Sequence, residues 1–127
     1  MVSKQLLPLV FAGGAIGTSV RYPIELLVGN LPQGQIFVTS FVNLLGAALL
    51  GFVGAHKFFT SPKRQSFWAV GLLGGFTTMS GLAVITASAE FGLSDLGAIY
   101  WLLVLMQLVI GVAAYRLGLI FAGAGKR

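Results

Sequence analysis

The chain reads as an all-α membrane protein of four transmembrane helices, the third of them broken at mid-depth, and three observations carry that reading. Of its 127 residues 57% are hydrophobic and 9% charged, with a mean hydropathy of +0.94, a balance too apolar for a dispersed soluble domain. Four stretches reach the roughly 20 apolar residues needed to cross about 30 Å of hydrocarbon at about 1.5 Å per residue. The third stretch carries Gly74-Gly75-Phe76-Thr77-Thr78-Met79-Ser80-Gly81 near its centre. Two threonines, a serine and three glycines weaken a helix and release backbone carbonyls. Lipid does not tolerate that, so the segment must be buried in protein or face a polar cavity.

In chain order the spans run from Leu6 to Val28, Ile36 to Phe59, Phe67 to Ala89 and Leu96 to Phe121. The connections are short and built from turn residues: Asn30 and Pro32 in the first, Pro62 in the second, Gly92 in the third. Residues 1–127 therefore form a single four-helix transmembrane domain, with no room for a soluble one. The first span opens with Lys4 in the manner of a signal sequence. Its apolar run is long, Arg21 and Glu25 follow and no cleavage site is evident, so it is expected to be retained.

Chemistry is narrowed mainly by what is missing. The absence of cysteine excludes disulfides, thiolate metal sites and cysteine nucleophiles, and the one histidine, His56, cannot make a multi-histidine site. No nucleophile, base or metal cluster converges, so an enzyme is not expected. An even number of spans places Lys4, Lys57, Lys63, Arg64, Lys126 and Arg127 on one face, with Arg116 leading back toward it. Arg21, Glu25, Glu90 and Asp95 fall on the other. By the positive-inside rule both termini lie in the cytoplasm of a multi-pass plasma-membrane protein. The net charge of +5 is then a topology signal with a lipid-facing basic rim, and nucleic acid is not implied.

Gly13, Gly14 and Gly17 on the first helix, Gly46 and Gly51 on the second, and Gly71, Gly74 and Gly75 on the third allow close helix approach. A 13.3 kDa subunit can hardly enclose a pore, so its polar mid-membrane groups are expected to face another subunit of an obligate oligomer. Asn43 on the second helix either glues two helices or offers its donors to a passing anion. Thr77, Thr78 and Ser80 either back-bond to carbonyls one turn earlier or mark a real break, and three of them beside paired glycines favour the break. Gln107, the strongly polar side chain at the centre of the fourth helix, is expected to bond between helices. Arg21 either pairs with Glu25 one turn on or gathers anions at a vestibule.

Three runs carry a resemblance: Gly13-Gly14-Ala15-Ile16-Gly17-Thr18-Ser19-Val20-Arg21-Tyr22, then Asn43-Leu44-Leu45-Gly46 through Gly51, then Gly74-Gly75-Phe76-Thr77-Thr78-Met79-Ser80. Their order and placement on helices one, two and three resemble the Fluc (CrcB) fluoride channels. The resemblance implies passive export of cytoplasmic fluoride by an antiparallel dimer with pores along the subunit interface, in a bacterial plasma membrane. It also implies a central structural sodium ion held by backbone carbonyls, here those of Gly74 and Thr77. Asn43, Thr78, Ser80 and Arg21 would border the ion path. Hard oxygen ligands from an unwound helix suit a hard cation.

Departures from the family pattern shape the expectation further. Where the family continues Thr-Thr-Phe-Ser-Thr-Phe, with phenylalanine ring edges facing fluoride, this chain has Met79, Gly81 and Leu82. Between Leu96 and Ala114 it also lacks the serines and threonines of the family's fourth-helix hydroxyl track. An antiparallel homodimer needs one sequence to insert both ways, and this charge distribution is strongly biased. The reading that reconciles both facts is a heterodimer with a homologous subunit of opposite topology. A homodimeric channel and a non-conducting structural subunit are the alternatives. A small multidrug exporter is disfavoured because it needs a membrane-embedded carboxylate, and no Asp or Glu is expected inside a span.

Overall fold

The computed structural model describes residues 4–31, 33–92 and 97–123. Helix α1 spans Leu7–Gly29 and α2 spans Gly34–Ala55. The third span is composite: α3 (Pro62–Gln65), a π-helix (Ser66–Leu73) and a single turn α4 (Gly74–Phe76), followed after a break by α5 (Met79–Gly92). Helix α6 spans Gly97–Phe121. Asp95, Lys126, Arg127 and Pro32 lie outside the described residues, as do the side chains of Glu90 and Tyr100, so the charge bias is structurally placed only in part.

Each helix begins and ends where local chemistry directs. Pro8 sits in the first turn of α1, where a missing N–H costs nothing, and Ser61 caps α3 by accepting from the Arg64 N–H at 3.4 Å. Pro23 inside α1 cannot donate to the Ser19 carbonyl, which locally loosens that helix. The turn into α2 passes through Gln33 in the left-handed region, φ 59°, and Gly34 then packs where a Cβ would strike the Val28 carbonyl. Helix α2 stops at Ala55 because His56 is extended, four residues short of the boundary expected from hydropathy. The residues Lys57–Phe59 instead form a 3₁₀ turn, with the His56 Nδ1 accepting from the Phe58 N–H at 3.2 Å.

Among the described residues three stretches are long and apolar enough to cross a membrane: Gly34–Ala55, Pro62–Val84 and Trp101–Phe121. Helix α1 has the length, 23 residues, yet falls outside that group because Thr18, Ser19, Arg21, Pro23 and Glu25 dilute its apolar content. All the described elements are helical, and the protein is a multi-pass membrane protein. Packing runs in two pairs, α1 against the π-helix and α2 against α6, with α1 also against α2. Both pairs depend on backbone contact at glycine. A Cβ on Gly17 would collide with the Leu72 carbonyl, and one on Gly51 with the Tyr115 carbonyl. Val38, Val42 and Phe76 form the small core, with Ile24 and Val28 of α1 packed against it. Helix α6 is the exception to burial: 6% of its apolar window is covered within the chain, against 33% for α2. Lipid or another subunit must cover the remainder, since water would not.

Candidate functional site

The break between α4 and α5 is a rerouting of hydrogen bonds. Thr77 takes an extended conformation, φ −78° and ψ 156°, while both its N–H and its Oγ1 still donate to the Leu73 carbonyl at 3.0 Å. In an unbroken helix the Thr78 N–H would serve the Gly74 carbonyl and the Gly81 N–H would serve that of Thr77. Here the Thr78 N–H donates to the Asn43 Oδ1 at 2.7 Å, and the Gly81 N–H to the Thr78 Oγ1 at 3.0 Å. Asn43 Nδ2 completes the clamp by donating to the Thr78 carbonyl at 2.9 Å. The side chain of α2 thus stands in for a missing helical turn of the third span. Thr78 in turn caps α5, and its Oγ1 lies 3.1 Å from the Ser80 Oγ. The carbonyls of Gly74 and Thr77 are those whose helical donors are engaged elsewhere, and above Gly74 the space is open.

On the α2–α6 side of the break lies a cavity of about 390 Å³, bordered by Asn43, Thr77, Met79, Leu82, Gln107 and Tyr115 among largely apolar neighbours. Asn43, Thr77 and the two substituted positions, Met79 and Leu82, therefore converge on one space. They differ in reach: Met79 is 66% exposed, whereas Leu82 is buried at 9%. Gln107 was expected to bond between helices. Its Nε2 is buried and has no hydrogen-bond partner among the described residues.

Residues 8–119 match the family described as CrcB-like protein, Camphor Resistance (CrcB). The chain belongs to the CrcB family. It is 39% identical to a Thermus thermophilus protein named fluoride-specific ion channel FluC, over 87% of this chain and 92% of that one. It is 37% identical to the FluC of Rhizobium meliloti, over 80% and 96% of the two chains. A Corynebacterium jeikeium protein named fluoride-specific ion channel FluC 2 is 31% identical, over 94% and 76%. No solved structure matches the chain.

In this CrcB-family chain Arg21 serves the break. Its Nη1 pairs with the Glu25 Oε1 at 2.6 Å, one helical turn on, and its Nε donates to the Gly75 carbonyl at 3.4 Å. Thr18 Oγ1 donates to the same carbonyl at 3.3 Å. Gly75 would have been served by the Met79 N–H in a continuous helix, so Thr18 and Arg21 replace that donor from α1. Glu25 corrects one expectation: it lies inside α1, four residues before its end, and is neutralised by its ion pair. Thr18 and Tyr115 were missed as site residues. The spacing Thr18, Arg21, Glu25 on one helical face was a signal for the first; Tyr115 stands eight residues beyond Gln107, again on a shared helical face.

Proposed function

We propose that this chain is a subunit of a fluoride-selective channel that lets cytoplasmic fluoride leave a bacterial cell passively across the plasma membrane. Membership of the CrcB family, with relatives named fluoride-specific ion channels, carries the reading. The clamped break supports it, because a helix interrupted at mid-depth and held open by another helix's amide is built to present polar backbone inside hydrocarbon. On this reading α1 also spans the membrane, making four transmembrane helices in one domain, and the chain is no enzyme.

The subunit works in an antiparallel dimer. Its partner is a homologous chain of opposite topology, because Lys57, Lys63 and Arg64 cluster on one loop and bias insertion. The carbonyls of Gly74 and Thr77 fit a structural sodium ion: they are hard oxygens without their helical donors, and the exposed Gly74 can approach a neighbouring subunit. Bound there, sodium would neutralise carbonyl dipoles gathered from two breaks and hold the subunits together. Asn43, Thr78, Ser80 and Arg21 stand around the ion path chiefly as positioning groups, since each is engaged in holding the break.

Fluoride efflux from liposomes decides between the forms of this reading. With this chain alone little or no efflux is expected, and efflux appears on adding the oppositely oriented homologue. Robust efflux from the single chain would establish the homodimer, and none under either condition would leave a structural subunit. A reporter fused at Arg127 should be cytoplasmic in nearly all molecules; an equal split would remove the argument for a heterodimer.

A further inference from the structure

Gln107 stands eleventh of the 25 residues of α6, at mid-membrane depth, with its Nε2 buried and unpartnered among the described residues. A primary amide donor left unpaired in an apolar surrounding is destabilising, and a leucine there would be more favourable. Such a group in a span is retained when something else uses it. The cavity it borders says what that is. None of the cavity's lining side chains is a carboxylate or a cation. Asn43 turns its Oδ1 and one N–H to the Thr78 backbone, which leaves its second N–H uncommitted on a residue that borders the cavity. Thr77 has its hydroxyl proton committed to Leu73. Among the lining side chains the donors that remain are these amide N–H groups and the Tyr115 hydroxyl, a neutral donor set suited to a small, partly dehydrated anion, while the Gly74 and Thr77 carbonyls proposed for sodium stand at the same cavity's edge.

We infer that Gln107 is an anion donor of the ion path: its Nε2, with the free N–H of Asn43, hydrogen-bonds fluoride in this cavity. The inference rests on the fluoride-channel reading. It also answers a deficit in that reading, because Met79 and Leu82 offer fluoride no ring edge and α6 carries no serine or threonine. A neutral amide replaces part of the lost hydration without trapping the ion, as a buried ammonium would.

Substituting Gln107→Met keeps length and volume while removing the donor. Under whichever liposome condition supports efflux, fluoride efflux is expected to fall at least tenfold, while the thermal midpoint of the purified protein stays level or rises because an unpaired amide is gone. Were Gln107 a structural bond between helices, the midpoint would fall instead and Gln107→Asn would not restore flux selectively. A second readout does not depend on conduction. The ¹⁵N side-chain amide resonance of Gln107, assigned by its disappearance in Gln107→Met, should move on titration with sodium fluoride and not with sodium chloride. Unchanged efflux in Gln107→Met, or an amide resonance indifferent to fluoride, overturns the assignment. If no condition supports efflux, the channel reading fails separately, and the titration still decides: a fluoride-specific shift upholds the donor role and its absence refutes it.

Discussion

Replacing Asn43 by alanine tests the bond on which the break depends. The substitution removes two hydrogen bonds, one to the Thr78 N–H at 2.7 Å and one to its carbonyl at 2.9 Å, each contributing about 1 kcal/mol net. Thr78 is 7% exposed, so its N–H loses its partner without gaining water, adding about 1–3 kcal/mol. The effects overlap, and a total of about 3 kcal/mol is expected, corresponding to roughly a hundredfold in the local opening equilibrium. Asn43→Asp should be no milder, because it keeps the acceptor but sets a carboxylate against the Thr78 carbonyl. Hydrogen exchange at the Thr78 amide in mixed micelles would read the opening directly, and SDS titration followed by tryptophan fluorescence would read global stability. Wild-type exchange and stability in Asn43→Ala would refute the clamp, returning Asn43 to the role of a pore donor with no structural part.

Thr78→Ala removes the α5 cap and should cost about 1 kcal/mol in the same SDS titration, with Thr78→Ser close to wild type. Met79→Phe should fold normally and raise fluoride efflux, since the site is open; Leu82→Phe should destabilise by about 1–3 kcal/mol, because the larger ring enters a filled position. Equal tolerance of both in thermal melts would contradict the burial difference. Exchanging sodium for N-methylglucamine should lower the melting temperature of the dimer in wild type and in Thr77→Ser alike, because the backbone supplies the ligand; insensitivity to sodium would remove the proposed ion.

Much of the fold lies open in the linear sequence because lipid is a demanding solvent. Long apolar runs of this length read as helices, and clustered glycine, threonine and serine within one of them favour a break over simple back-bonding, so the interrupted third span was legible before any contact was known. The helix ends were less so: α2 gives way at His56 through a local turn that hydropathy does not record, and the π-helix of Ser66–Leu73 has the same apolar composition as an α-helix. For Asn43 the sequence left two roles open, and for Arg21 two more. Tertiary structure shows the hydrogen bonds each one makes, Asn43 to Thr78 and Arg21 to Glu25 and Gly75, because a side chain's hydrogen bonds depend on which backbone group stands within about 3 Å of it. That the freed Thr78 N–H lies against α2 and the freed Gly75 carbonyl against α1 is a property of helix packing over separations of 35 and 54 residues, and no local pattern encodes it.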